Sequence, residues 1–268
     1  MLNKAKAKSP FHKSNTFYNF VKSGDDVAEL TIYDEIGFGG VTAKDVKAGL
    51  ATLSAKTINV GINSPGGDVF DGVAIFNLLR EHPARIEVTV DGLAASAASV
   101  IAMAGDTITV ADGAFLMIHN AWALTIGNAE DHEKMIGALR KIDSALLSIY
   151  VGRTGGDPHA IQRMMTAETW LTGDEATRLG FADGTSKNKP TSVSAAFDLG
   201  VFSNVPDQLR QKPQHKAASN VGLTRKDLER ILRNEGCSRS EASIAAGAGL
   251  RALKGKASER RNSLRTLR

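Results

Sequence analysis

Residues 57–90, TINVGINSPGGDVFDGVAIFNLLREHPARIEVTV, decide the fold class. TINVGI (57–62) is a short β-branched run that reads as a strand, and NSPGGD (63–68) reads as the turn that ends it. VFDGVAIFNLLREH (69–82) places Val69, Val73, Phe76 and Leu79 on one helical face until Pro83 stops it, and IEVTV (86–90) is the next strand. Two strands separated by a helix run parallel, because a parallel pair needs a crossover of a dozen or more residues. The expectation is an α/β fold.

The same grammar extends in both directions. Upstream, AELTIYDEI (28–36) alternates like a strand, and Val41 to Leu53 reads as a helix that Thr42 can cap. Downstream, DGLAASAASVIAMAG (91–105) opens a small-residue helix, DTITV (106–110) is a strand, and GAFLMIH (113–119) is a strand ending on His119. A longer helix covers Asn128 to Val151, TGGDP (154–158) breaks it, and short helices follow over His159–Met165 and Asp174–Leu179, the second closed by Gly180. From Gly184 to Ala218 the chain is rich in Ser, Lys, Pro, Asn and Gln. This gives a basic arm over 1–27, a body over 28–184, a linker over 185–220 and a helical tail over 221–268.

Composition narrows the function classes. With 42% hydrophobic and 23% charged residues the 268-residue chain is globular rather than wholly disordered or fibrous. Its single cysteine, Cys237, excludes an intramolecular disulfide, and no Cys/His cluster has zinc spacing. No run approaches the length of an apolar membrane span, so the reading is a cytoplasmic protein without membrane attachment. Charge is uneven: residues 1–20 carry +4, residues 204–268 carry +9, and the stretch between carries −9. Such a tail either keeps the chain solvated or draws it to an acidic protein surface; contact with nucleic acid is not the expected use.

Four segments of the body carry chemistry. Adjacent glycines in NSPGGD leave backbone N–H groups uncovered where an oxyanion could sit, and the absence of a following GK[ST] rules out a Walker loop. DGLAASAAS sets Ser96, with Ser99 one helical turn on, at the start of a helix after a strand. FLMIHN ends a strand on His119, and ETW places Glu168 beside an aromatic residue. Each segment alone has an ordinary structural explanation as turn, packing serine, core histidine or surface acid. Together, a serine, a base, a carboxylate and a glycine turn supply every role of acyl transfer.

INSPGGDVFDG, DGLAASAAS, MIHNA and ETWLTGDEATRLGFAD resemble the blocks of the Clp protease proteolytic subunit family, in the variant found as phage head maturation (prohead) proteases. The resemblance covers roughly residues 28–183. It implies the spiral ββα fold shared with crotonases, serine endopeptidase activity without a metal or other cofactor, and assembly into homo-oligomeric rings. By position it makes Ser96 the nucleophile in preference to Ser99, His119 the general base, and the amides of Gly67 and Ala97 the oxyanion donors. The family's aspartate falls on Glu168, a departure that a glutamate can fill. The prohead variant further implies an ATP-independent enzyme that trims phage capsid or scaffold proteins, inside the host cytoplasm or procapsid, with the basic tail as a targeting piece or a solubility tail. Alternatives are a general Clp-type peptidase fed by an unfoldase, and a crotonase-like acyl-CoA enzyme or inactive ring; an aligned Ser96–His119 pair separates the peptidases from the last two.

Overall fold

The computed structural model describes residues 18–22, 26–37, 39–186 and 197–209, all within a compact unit that runs to Gln211. The tail expected over 221–268 lies outside the described residues. The α/β expectation holds: eight strands form one mixed sheet with helices packed on it. In chain order the elements are β1 (Tyr18–Lys22), β2 (Val27–Ile32), α1 (Ala43–Leu50), β3 (Thr57–Ser64), α2 (Val69–Arg80), β4 (Arg85–Ala95) and α3 (Ala97–Ala102). They continue with β5 (Thr107–Ala111), β6 (Phe115–Ile118), α4 (Ala129–Thr154), α5 (Pro158–Thr166), β7 (Thr169–Thr172), α6 (Gly173–Arg178) and β8 (Gly184–Ser186). A single 3₁₀ turn follows at Leu199–Val201. Among the described residues no helix is long and apolar enough to cross a membrane.

Strands β2, β3, β4, β5 and β8 run parallel in that spatial order, with β1 antiparallel at the edge beside β2. Burial alternates along β3, where Ile58, Val60, Ile62 and Ser64 face inward. Helix α2 turns Ile75 and Leu79 fully into the core, while Val69, Val73 and Phe76 pack only partly against it. Its buried stripe is therefore rotated from the face drawn on the sequence. Removing two such side chains from water stabilises the helix on the sheet by about 1.5–3 kcal/mol each. Thr42 caps α1 as expected, accepting from the Asp45 amide at 3.2 Å.

What positions the site is the behaviour of β4. It pairs with β3 in steady register to Val90, then slips, so that Ser64 meets Ala94. Past this irregularity β4 leaves β5 and continues beside β6, with Leu93, Ala94 and Ala95 opposite Phe115, Leu116 and Met117. One strand thus serves two neighbours in turn, and its end is carried to the end of β6. β7 then returns antiparallel along β6, opposing Ile118 with Thr169.

Two boundaries differ from the sequence expectation. Residues 18–22, placed in a basic arm, are a strand paired in register with β2. The linker expected over 185–220 does not begin where the body ends: β8 runs on to Ser186, and residues 197–209 pack against the body. Leu199 and Val205 are buried with Leu93, Ala95 and Met117 in an apolar cluster of their own, flanked by Phe115, Trp170, Phe197, Phe202 and Leu209. The overall polarity of 184–218 hid a local density of apolar residues at 197–205.

Candidate active site

Ser96 stands between the last residue of β4 and the first of α3, with φ 54° and ψ −125°. Left-handed backbone is rare for a residue with a Cβ, and it swings the side chain out of the helix instead of into a capping bond. The conformation is held from both sides. Ser96 donates its amide to the Met117 carbonyl at 3.0 Å, and its own carbonyl accepts from the Ser99 hydroxyl at 2.6 Å. Ser99 spends its only proton there, so the hydroxyl of Tyr150 on α4, 2.8 Å away, must donate to Ser99. Burial pushes the Tyr150 pKa well above its ordinary value, which keeps that donor protonated. Ser99 is fully buried and committed to this relay.

His119 follows β6 directly, and the β4–β6 pairing brings it to Ser96: Nε2 lies 2.7 Å from Ser96 Oγ. If Nδ1 carries the ring proton, Nε2 is free to accept from the serine hydroxyl. The ring is half-buried. Burial lowers its pKa below the usual imidazole value, and the charges of Glu168 and Asp143 act in the opposite sense. Asp143, on α4, also accepts the Ala121 amide at 2.7 Å, tying the chain beyond His119 to that helix.

The glycine turn lies against the serine. At Gly66 (φ +91°) a Cβ would come within 2.6 Å of the Ala95 carbonyl oxygen and 2.7 Å of Ser96 Cβ, so only glycine lets the turn approach. At Gly67 (φ +146°) a Cβ would come within 2.1 Å of the Ile36 carbonyl oxygen. The buried Ser64 hydroxyl accepts the Gly66 amide at 3.2 Å and braces the turn from below. Among the described residues neither the Gly67 amide nor the Ala97 amide has an acceptor. Both residues line one cleft of about 740 Å³ together with Ser96, His119, Phe70 and Phe202.

Among the described residues Glu168 is the other non-glycine residue with positive φ, at 50°. Its carboxylate accepts from the Ser203 amide at 2.9 Å, the Asn204 amide at 2.6 Å and the Trp170 indole at 3.3 Å. It reaches His119 through charge, while the ring's hydrogen bond among the described residues is the one to Ser96. The structure therefore brings Ser96, His119, Gly67 and Ala97 into one cleft and keeps Glu168 within reach of the imidazole by charge alone. Sequence reasoning missed Gly66, Asp143 and Phe202. Gly66 lay inside the quoted motif; Asp143 gave no signal, being one acid among many on a long helix.

Residues 14–189 match the Clp protease family. Over 169 residues the chain is 28% identical to the ATP-dependent Clp protease proteolytic subunit 1 of Salinibacter ruber, an alignment covering 59% of this chain and 72% of that relative.

Proposed function

Because the chain belongs to the Clp protease family, a family of serine peptidases, we propose that it is a serine endopeptidase working through Ser96, His119 and Glu168. The observation that carries this reading is the 2.7 Å approach of His119 Nε2 to the hydroxyl of a serine held in left-handed backbone. In the acylation step His119 takes the hydroxyl proton as Ser96 Oγ attacks the scissile carbonyl. The carbonyl oxygen becomes an oxyanion that the Gly67 and Ala97 amides receive. Glu168 and Asp143 stabilise the imidazolium by charge until it returns the proton to the leaving amine. Water then repeats the sequence on the acyl-enzyme.

The decisive experiment is covalent labelling by a fluorophosphonate. Label should map to Ser96 and vanish in Ser96→Ala and His119→Ala, with folding unchanged by circular dichroism; label at Ser99 would sink the assignment. Burial lowers the His119 pKa, so the neutral base persists to more acid solution, and the acid limb of labelling should fall below the ~6.5 of a free imidazole. A limb above that value would mean that the carboxylates outweigh burial.

Members of the family form homo-oligomeric rings, and the exposed apolar side chains Trp122, Leu124, Ile126 and Ile136 support the same assembly for this chain. For the substrate we infer capsid or scaffold protein of a phage procapsid, cleaved without ATP. That reading rests on the resemblance of the motif blocks to the prohead variant and on the basic segment from 204 onward. The name of the Salinibacter relative favours a second reading, a peptidase fed by an ATP-driven unfoldase. Mixing the protein with its neighbouring capsid protein, with and without an ATPase partner, separates them: cleavage of folded capsid protein without ATP supports the first.

A further inference from the structure

Residues 197–209, read from sequence as linker, converge on one side of the catalytic pair. The Phe202 ring meets the His119 ring edge-on, with centroids 5.6 Å apart and planes at 77°. It meets Trp170 in the same way, at 5.7 Å and 81°. Trp170 donates to Glu168, and Glu168 accepts the Ser203 and Asn204 amides that follow Phe202 in the chain. The Asn204 side chain adds a bond to the Ala167 carbonyl at 2.9 Å. These contacts close a circuit from imidazole to phenyl to indole to carboxylate and back to the segment that carries the phenyl. Leu199 and Val205, buried on either side, fasten the segment to the cluster under β4 and β6.

We propose that residues 197–209 are a positioning strap of the active site: Phe202 braces the His119 imidazole toward Ser96, and the Ser203 and Asn204 amides fix the Glu168 carboxylate. The proposal rests on the peptidase reading above and adds to it a set of positioning residues that touch the base and the acid. The geometry has a physical logic. Glu168 takes the left-handed position that ends α5, where its amide donates to the Met165 carbonyl at 3.1 Å; that bond fixes the backbone, and something else must hold the carboxylate. Two backbone amides do this without adding a competing charge. Phe202 covers part of an imidazole whose pKa is lowered chiefly by burial, with Glu168 and Asp143 as the charges facing it. A strap that holds both members also forms one wall of the cleft, where Phe202 is joined by Asp198 and Val201.

The test uses the full chain and compares Phe202→Ala and Phe202→Leu with the parent. Phe202 is only half-buried, so both variants should fold. Turnover of a small peptide should fall between about tenfold and a hundredfold in Phe202→Ala, the loss expected when a catalytic group is displaced by about an ångström. KM should stay within about twofold, since the variant loosens the base rather than the substrate. Titration of the His119 imidazole by NMR, which needs no turnover, should move its midpoint upward as water reaches the ring. Phe202→Leu should recover most of both. Unchanged turnover together with an unchanged midpoint in Phe202→Ala overturns the proposal, and so does faster turnover, which would make the strap a plug. A raised midpoint in a protein whose parent never labels at Ser96 would uphold the strap's hold on His119 and sink the peptidase reading.

Discussion

Ser96 and Glu168 are the two non-glycine residues with positive φ among those described, and the protein holds them by different means. Ser96 is locked from inside. Its neighbours Ala95, Ala97 and Ser99 are buried, and its bonds go to β6 and to the Ser99–Tyr150 relay. Glu168 is tied at its backbone to the Met165 carbonyl, while its carboxylate is locked from outside, by amides of exposed residues 35 and 36 positions further along the chain. Strain at Ser96 is absorbed by the core and should survive changes at the surface; the placing of the Glu168 carboxylate depends on a segment fastened by two buried side chains, Leu199 and Val205.

The largest break in that comparison is expected on the core side. Gly66→Ala puts a methyl within 2.7 Å of Ser96 Cβ at a φ of +91°, so the turn or the serine must move. Loss of turnover should exceed about a hundredfold, with roughly 1–3 kcal/mol of stability lost to backbone strain, read from denaturant melts alongside kinetics. Near wild-type turnover would show that the turn is not rigid against the serine.

An intermediate effect is expected at the carboxylate. Glu168→Gln keeps one carbonyl oxygen for the strap amides but loses the charge that favours the imidazolium. Turnover should fall by about ten- to a hundredfold, less than the ~10⁴-fold loss known for the neutralised acid of a Ser-His-Asp triad, because Asp143 still faces the ring. The acid limb of the rate should shift further down, since one of the charges that raise the His119 pKa is gone. Glu168→Asp keeps the charge on a shorter arm and should loosen the strap amides more than it harms the base. Wild-type turnover in Glu168→Gln would assign the orienting role to Asp143.

The smallest effect on rate is expected at Ser99. Ser99→Ala deletes the bond to the Ser96 carbonyl and leaves the buried Tyr150 hydroxyl without its partner, a loss of about 1–3 kcal/mol in stability. Turnover should drop by no more than roughly tenfold, because Met117 still holds the Ser96 amide. Pairing Ser99→Ala with Tyr150→Phe sharpens the test, since members of one relay should give stability losses that do not add.

Chemistry-bearing residues were legible wherever a local rule placed them. NSPGGD had to be a turn because its glycines take backbone that other residues avoid, and His119 had to end a strand because the apolar run before it does. Ser96 could be set at a strand-to-helix junction by counting, although its left-handed φ could not be read. Phe202 left a faint mark in the apolar spacing of FDLGVFSNV, which the surrounding polar composition outweighed. Where the tail leaves the body was misplaced for the same reason: Asn204 carries a strap amide, so the body extends to at least Leu209.

Periodicity, turn chemistry and capping act over a few residues, and so the sequence by itself determined the α/β class, the order of most elements and the places of Ser96, His119 and the glycine turn on them. The slip in β4 that carries Ser96 to His119, the relay through Tyr150 and the strap's grip on Glu168 join residues 23, 51 and 36 positions apart. No local preference encodes such contacts. They exist because the sheet and its helices bring distant backbone groups within hydrogen-bonding reach, and only the tertiary structure decided which ones would meet.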